Sequence, residues 1–169
     1  MIRQSLVKAK VREALADAGQ TKPPVNLDRI CERNGLQLRR GEALGGGQQA
    51  HYDEARGEIA VTERRSGRVE RFSIAHELGH ALMAHGSHEC YEGTPTVAPV
   101  SLDEADTSVD FEAEADAFAD ELLIPTAWLR HAVIDEELTI SELRQRFEAT
   151  NEVMFIALKN RRLLNKVRT

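Results

Sequence analysis

The chain has 169 residues, of which 41% are hydrophobic and 30% charged, and its formal net charge at pH 7 is −6. This length fits one domain, or one domain with a small appendage, and the hydrophobic content excludes a disordered chain. No apolar stretch is long enough to span a membrane, two cysteines cannot form a disulfide scaffold, and the negative charge argues against a dedicated nucleic-acid-binding protein. The N-terminal residues lead into no signal-peptide-like apolar segment, so we expect a cytoplasmic protein.

The first sixty residues predict two helices and a small sheet. Apolar residues at helical spacing predict helices over residues 3–18 and 27–34. Alternating apolar and polar residues predict short strands at 36–39, 50–52 and 58–61. The last two strands flank a turn-like sequence and read as a hairpin, so we expect a small antiparallel sheet.

The rest of the chain is predicted to be helical. A strong apolar pattern predicts a helix over residues 68–85, and a second helix over 110–123 ends before Pro125. The polar residues 86–108 between them read as a long loop. Three short helices are predicted near residues 126–134, 139–147 and 151–163. The fold class is therefore α+β and mostly helical.

The C-terminal segment is predicted to form a helical appendage. We divide the chain into a domain over residues 1–136 and an appendage over residues 137–169, which carries a helix–turn–helix-like apolar pattern. Basic residues are interleaved with this pattern: Arg144, Arg146, Lys159, Arg161 and Arg162. They form a docking surface for a repressor, or make a residual DNA contact, or are the solvated basic residues of a packing appendage.

One short motif carries the chemistry. Residues 76–80 read His-Glu-Leu-Gly-His inside the predicted helix over 68–85. Because four residues are slightly more than one helical turn, the imidazoles of His76 and His80 leave the same face and can reach one ion. Zn²⁺ accepts imidazole nitrogen, and a catalytic zinc site takes three ligands from the protein. Glu77 stands beside the first ligand, where its carboxylate can take a proton from metal-bound water.

The third ligand is expected on the next helix. Glu112 and Asp116 are four residues apart, so one carboxylate can bind the metal while the other accepts the N–H of a ligating histidine. Glu114 lies on a different face and ranks second. We expect His85, about 140° around the helix from His80, to point away from the site.

Several other residues are weaker candidates. His88 reaches the metal only if the loop folds back, and Cys90 in the same loop is either a blocking zinc ligand or an incidental cysteine. Tyr52, Tyr91 and His88 are candidates for stabilising the oxyanion of a tetrahedral intermediate, and the sequence does not choose among them.

Two blocks of the sequence resemble the ImmA/IrrE family of bacterial metallopeptidases. Residues 72–80 read FSIAHELGH and residues 112–125 read EAEADAFADELLIP. The family typically combines an AHELGH block with an E-x-x-A-[ND]-x-F-A-x-x-L-L-x-P block. The small strand at residues 59–61 and the Pro-Pro-Val connector before it extend the resemblance over most of the chain. The family's usual methionine is Ile124 here, a conservative change.

This resemblance implies a zincin-like domain with one Zn²⁺ per chain. It assigns His76, His80 and Glu112 as ligands and Glu77 as the base, and it leaves Asp116 as support for a ligating histidine. It further implies a cytoplasmic endopeptidase that cleaves a transcriptional repressor, a helix–turn–helix protein, in mobile-element or stress-response control. The alternatives are a zinc protein that binds its partner without cutting it, and a DNA-binding protein with a structural metal.

Overall fold

The computed structural model describes five stretches of the chain, with only the backbone described in the fourth: residues 1–44, 47–62, 67–86, 88–91 and 110–168. Within them the elements in chain order are α1 (Gln4–Asp17), α2 (Leu27–Arg33), β1 (Gln37–Glu42), β2 (Gln48–Asp53), β3 (Glu58–Thr62), α3 (Gly67–Leu82), β4 (His88–Tyr91), α4 (Phe111–Leu123), α5 (Thr126–Ile134), α6 (Ile140–Phe147), α7 (Asn151–Asn160) and a 3-10 turn (Leu164–Lys166). No helix among these residues combines the length and apolar character needed to cross a bilayer.

The α+β class and most predicted elements are confirmed. Helix α3 ends at Leu82, short of the predicted residue 85, because Ala84 adopts a left-handed conformation (φ 57°) that a right-handed helix cannot include. The predicted loop over 86–108 contains the short strand β4. The remainder of that loop, residues 92–109, lies outside the described residues.

The sheet is mixed, which corrects the expectation of a purely antiparallel sheet. Its strand order is β1-β3-β2-β4. Strands β2 and β3 form the predicted antiparallel hairpin, and β4 pairs antiparallel with β2. Strand β1 pairs in parallel with β3, since two chain reversals separate them. The buried side chains of Ile59 and Val61 favour an inner position for β3, so β1 adds to the free edge of β3 instead of pairing with β2.

Helix α3 lies between the sheet and α4. Every residue from Ser73 to His80 is buried, because β2 and β3 cover one side of the helix and α4 covers another. The two helices approach closely at Gly79, where an added Cβ would lie 3.0 Å from the Cα of Ala115 and 3.2 Å from the Cβ of Phe118. Gly79 therefore sets the distance between α3 and α4.

The start of α4 is fixed by its capping residue. The side chain of Asp110 accepts a hydrogen bond of 3.0 Å from the backbone N–H of Ala113. This cap satisfies a backbone donor that the helix itself leaves unpaired. It places Glu112 and Glu114 in the first turn of α4, where the helix dipole stabilises carboxylates.

A second hydrophobic cluster occupies the C-terminal part of the chain. It begins at Ile124, and its buried residues come from α5, α6, α7 and their connections, among them Leu129, Leu143, Phe147, Met154 and Leu158. The division at residues 136/137 stays a prediction, but α5, assigned there to the first domain, packs into this second cluster.

Arg161 joins the second cluster to the end of α4. Its Nη2 donates to the backbone oxygen of Ile124 at 2.8 Å and pairs with a carboxylate oxygen of Asp120 at 2.9 Å. Its side chain is only 7% exposed, and Arg146 is paired with Glu136. Arg161 therefore serves internal packing and Arg146 a local ion pair, and the choice between the two interpretations of the basic residues stays open.

Replacing Gly79 with alanine should lower the free energy of unfolding by about 1–3 kcal/mol, the usual cost of overpacking, because the new Cβ would overlap the backbone of α4. Gly67→Ala is the matched control, since a Cβ there meets no atom of a described residue within 4 Å and should leave stability unchanged or slightly higher. Urea unfolding followed by circular dichroism measures both variants. Alanine also favours a helix interior over glycine by about 1 kcal/mol, so a Gly79 variant that is more stable than the wild type by that amount would contradict the tight packing of α3 on α4.

Candidate metal centre

Three side chains from two helices meet at one point inside the protein. His76 and His80 lie one turn apart on α3, and Glu112 faces them from the first turn of α4. The Nε2 atoms of the histidines are 3.1 Å apart, and Glu112 reaches the Nε2 of His80 at 3.1 Å and that of His76 at 3.4 Å. One potential ligand atom from each residue therefore lies within 4.8 Å of the other two.

These separations match those of metal ligands. Zinc ligands lie ~2.0–2.1 Å from the ion, which in a tetrahedral site puts them roughly 3.3 Å from one another. Two imidazoles and one carboxylate are also a donor set that catalytic zinc sites use. The residues present therefore fit a zinc ion with three protein ligands.

Asp116 orients His76. Its Oδ1 lies 2.8 Å from the Nδ1 of His76, and because a carboxylate only accepts hydrogen bonds, Nδ1 carries the hydrogen and Nε2 faces Glu112. Burial alone lowers the pKa of His76, but the hydrogen bonds to Asp116 and Glu112 raise it overall to about 9. At neutral pH the ring therefore also carries a proton on Nε2, and a metal ion that binds there has to displace this second proton. The structure thus places Asp116 beside a candidate ligand, as the i, i+4 spacing predicts.

His85 points toward the site, and the expectation that it points away is wrong. That expectation extends α3 to residue 85, whereas the left-handed Ala84 turns the chain back over the end of the helix. The Nδ1 of His85 lies 3.1 Å from the Nδ1 of His80, and its ring stacks on that of Phe111 with centroids 4.5 Å apart. Its side chain is 1% exposed, and burial lowers its pKa, which favours a neutral ring.

Glu114 faces away from the two histidines of α3 and toward Arg3. Its Oε1 accepts hydrogen bonds from the backbone N–H and the Nε of Arg3 at 2.7 and 2.8 Å, and its Oε2 accepts from the Nη2 at 2.7 Å. The Nε2 of His85 lies 3.0 Å from Oε2 as well. Hydrogen bonding to Arg3 lowers the pKa of this fully buried carboxyl to about 2. The structure therefore brings Glu112 to the histidine pair and engages Glu114 elsewhere.

Glu77 is buried beside the histidines, near the backbone amide of Tyr52. Neither of its carboxylate oxygens accepts a hydrogen bond of normal geometry from a described residue. Burial raises its pKa to about 8, and Glu112 adds to the rise, while His76 and the backbone amide of Tyr52 oppose it. A buried, unsatisfied carboxyl is costly, so its presence here indicates a site built to take a polar ligand.

The remaining candidates are only partly described. Tyr52 is buried on β2, and burial raises the pKa of its hydroxyl; its oxyanion-stabilising role stays a prediction. The side chains of His88, Cys90 and Tyr91 lie outside the described residues. Burial raises the pKa of the Cys31 thiol to about 12, so it carries no thiolate at neutral pH.

An apolar groove lies one helical turn from the histidines. Phe72, 40% exposed, has its ring centroid 6.3 Å from that of His76. It lines a cavity of about 320 Å³ together with Val69, Leu123 and Val153, which belong to α3, α4 and α7. We call these four residues and their cavity the Phe72 groove. The groove has no local signal in the sequence, because its walls come from several elements that are far apart along the chain.

Comparisons with known proteins show the family and the fold of the chain. The sequence model of the Peptidase_M78 family, described as the IrrE N-terminal-like domain, matches residues 31–159. No curated protein compared with the chain is significantly similar in sequence. A solved structure of a Mycobacterium tuberculosis transcriptional regulator shares the fold at a TM-score of 0.61 and 16% identity, over 90% of this chain and 55% of that one. The chain thus spans about half the length of that regulator.

The family match covers about three quarters of the chain, including α3, α4 and all three residues of the candidate metal centre. The chain belongs to the Peptidase_M78 family of IrrE N-terminal-like domains, which is of the metallopeptidase class.

Proposed function

We propose that this protein is a zinc-dependent endopeptidase that cleaves a transcriptional repressor. One observation carries the proposal: a buried carboxyl, Glu77, has no described hydrogen-bond partner and stands beside three side chains at the spacing of zinc ligands. A structural zinc site has no use for such a carboxyl, and it usually closes its fourth position with another Cys or His.

His76, His80 and Glu112 would hold the zinc ion. When bound, zinc supplies Lewis acidity, which polarises a peptide carbonyl and makes an adjacent water molecule easier to deprotonate. Glu77 accepts the proton of the attacking water, keeps it in the buried pocket, and donates it to the nitrogen of the leaving amine. The peptide C–N bond breaks, and the products are a carboxylate and an amine. Asp116 keeps His76 in the required tautomer throughout.

The Phe72 groove supports a protein substrate. It is apolar, open to solvent and one helical turn from His76, so it is placed to receive an apolar side chain of a bound polypeptide near the scissile bond. The choice of a repressor, a helix–turn–helix protein, is supported by the family's association with regulator cleavage. A cytoplasmic location follows from the same proposal.

The alternatives receive less support. A DNA-binding protein with a structural metal would need a cluster of free basic residues on its surface. Arg161 is buried against α4 and Arg146 is paired with Glu136, which leaves Lys159 and Arg162 as the exposed members of the group. A regulatory zinc protein that binds its partner without cutting it does not need a general base, so it gives no reason for burying the carboxyl of Glu77.

Substitutions in the candidate centre should remove the metal selectively. His76→Ala, His80→Ala and Glu112→Ala should each lose stoichiometric zinc after dialysis, because each removes one of three ligands. Asp116→Ala should weaken zinc binding by roughly 10–100-fold, as expected for a group that orients a ligand. Elemental analysis and chelator competition measure these effects.

His131→Ala is the control for this series, since His131 is an exposed histidine on α5 paired with Asp135 at 2.8 Å. It should keep full zinc content. Loss of the metal in a Glu114→Ala variant, with retention in Glu112→Ala, would contradict the proposed ligand set.

Glu77→Gln should keep one zinc ion and lose cleavage by about 100-fold or more, because glutamine fills the same space but cannot accept the proton of water. The test co-expresses wild type or variant with a small helix–turn–helix repressor encoded by a neighbouring gene, and mass spectrometry detects cleavage fragments. Cleavage by the Glu77→Gln protein would refute the mechanism. A zinc-loaded wild type that binds the repressor and leaves it intact would favour the non-cleaving alternative.

A further inference from the structure

A row of four side chains, of which all but Arg3 are buried, connects the N-terminal end of the chain to the metal centre. Arg3 precedes α1 and contacts Glu114 on α4 through three hydrogen bonds of 2.7–2.8 Å. Glu114 lies 3.0 Å from the Nε2 of His85, and the Nδ1 of His85 lies 3.1 Å from the Nδ1 of His80. Glu114 is fully buried and the side chain of His85 is 1% exposed, so water competes poorly for these bonds.

The chemistry of the four groups determines where the hydrogens lie. The Glu114 carboxylate only accepts, so the Nε2 of His85 must donate to it. For the Nε2 of His80 to offer its lone pair to a metal ion, the ring hydrogen of His80 must lie on Nδ1, and the Nδ1 of His85, 3.1 Å away, is placed to accept it. The Nε2 of His80 is left with its lone pair, and it is this atom that lies 3.1 Å from Glu112.

The two histidines of α3 are therefore held by different means. His76 donates directly to Asp116, whose side chain is 61% exposed. His80 donates to a buried imidazole, which is oriented by a buried carboxylate and its arginine partner. Nothing in a packing role alone requires a histidine, a carboxylate and an arginine in this order, because an apolar side chain would fill the space of His85 against Phe111.

We propose that Arg3, Glu114 and His85 form a positioning relay that holds His80 in its metal-binding tautomer and orientation, so that the segment preceding α1 helps to set metal affinity. The inference rests on the proposed zinc site and adds to it a residue outside the segment matched by the family, since Arg3 lies before residue 31. The three relay residues are positioning residues and do not contact the ion.

Zinc affinity tests the relay through two of its members. Arg3→Ala removes the arginine partner of Glu114 and should weaken zinc binding by about 10-fold, the lower end of the effect of outer partners of metal ligands. Arg12→Ala removes an exposed arginine within α1, is the matched control and should bind zinc as the wild type does. Chelator competition at pH 7.5 with the full chain gives the affinities.

His85 separates positioning from packing. His85→Phe keeps a ring stacked on Phe111 but offers no acceptor to His80, and it should weaken zinc binding by about 10–100-fold. His85→Asn restores an acceptor oxygen close to the position of Nδ1, and it should recover most of that loss although it packs less well. Arg3 is 41% exposed, so Arg3→Ala still tests the relay if the buried His85→Phe substitution prevents folding. The absorption spectrum of the cobalt-substituted variants reports the ligand geometry independently of activity.

The outcomes distinguish the relay from the metal site itself. Reduced thermal stability of Arg3→Ala and His85→Phe with zinc affinities within about 2-fold of wild type would show a purely structural network and overturn the relay. If the two relay variants bind zinc normally but His80→Ala loses it, the relay is refuted and the proposed metal site still stands. A wild-type protein that binds no zinc would contradict both proposals.

Discussion

The close contact between α3 and α4 at Gly79 is the constraint on which the candidate metal centre depends. The two histidines project from α3 and the carboxylate projects from α4, so their atoms come within 4.8 Å only if the helix axes are close. Any side chain at Gly79 would meet the backbone of Ala115 at about 3 Å. The same contact buries His76, His80 and the carboxyl of Glu77 together, an arrangement that is costly unless a cation compensates the charge of the carboxylate.

The second requirement is the orientation of the two imidazole rings. Asp116 on α4 orients His76, and His85 after the end of α3 orients His80. Both histidines point Nε2 at Glu112, because each uses its Nδ1 for a hydrogen bond on the far side of the ring. The partner of His76 lies one turn along α4 from Glu112. The partner of His80 is His85, which reaches back only because α3 ends before it. An irregular backbone at Ala84 is thus as important to the site as the regular helix before it.

The features that could be predicted from the sequence are those that follow from helical periodicity within one element. The spacing of His76 and His80, and that of Glu112 and Asp116, follows from 3.6 residues per turn, and the structure places these four side chains together. The role of Gly79 was readable in principle, because a glycine inside a strong helical pattern often marks a close approach of backbones. What could not be predicted depends on chain reversals and long-range pairing. His85 required knowledge of where α3 ends, the parallel β1 required the order of strands, and Arg3 lies 111 positions from Glu114 with no local signal to link them.

Zinc K-edge X-ray absorption of the protein loaded with one equivalent of zinc tests the central claim most directly, because it counts and identifies the atoms bound to the metal. The proposed centre predicts a first shell of nitrogen and oxygen only, at roughly 2.0–2.1 Å, with outer-shell scattering from two imidazoles. A sulfur neighbour at about 2.3 Å would assign a cysteine to the metal. Either that result or scattering from three imidazoles would contradict a centre formed by His76, His80 and Glu112.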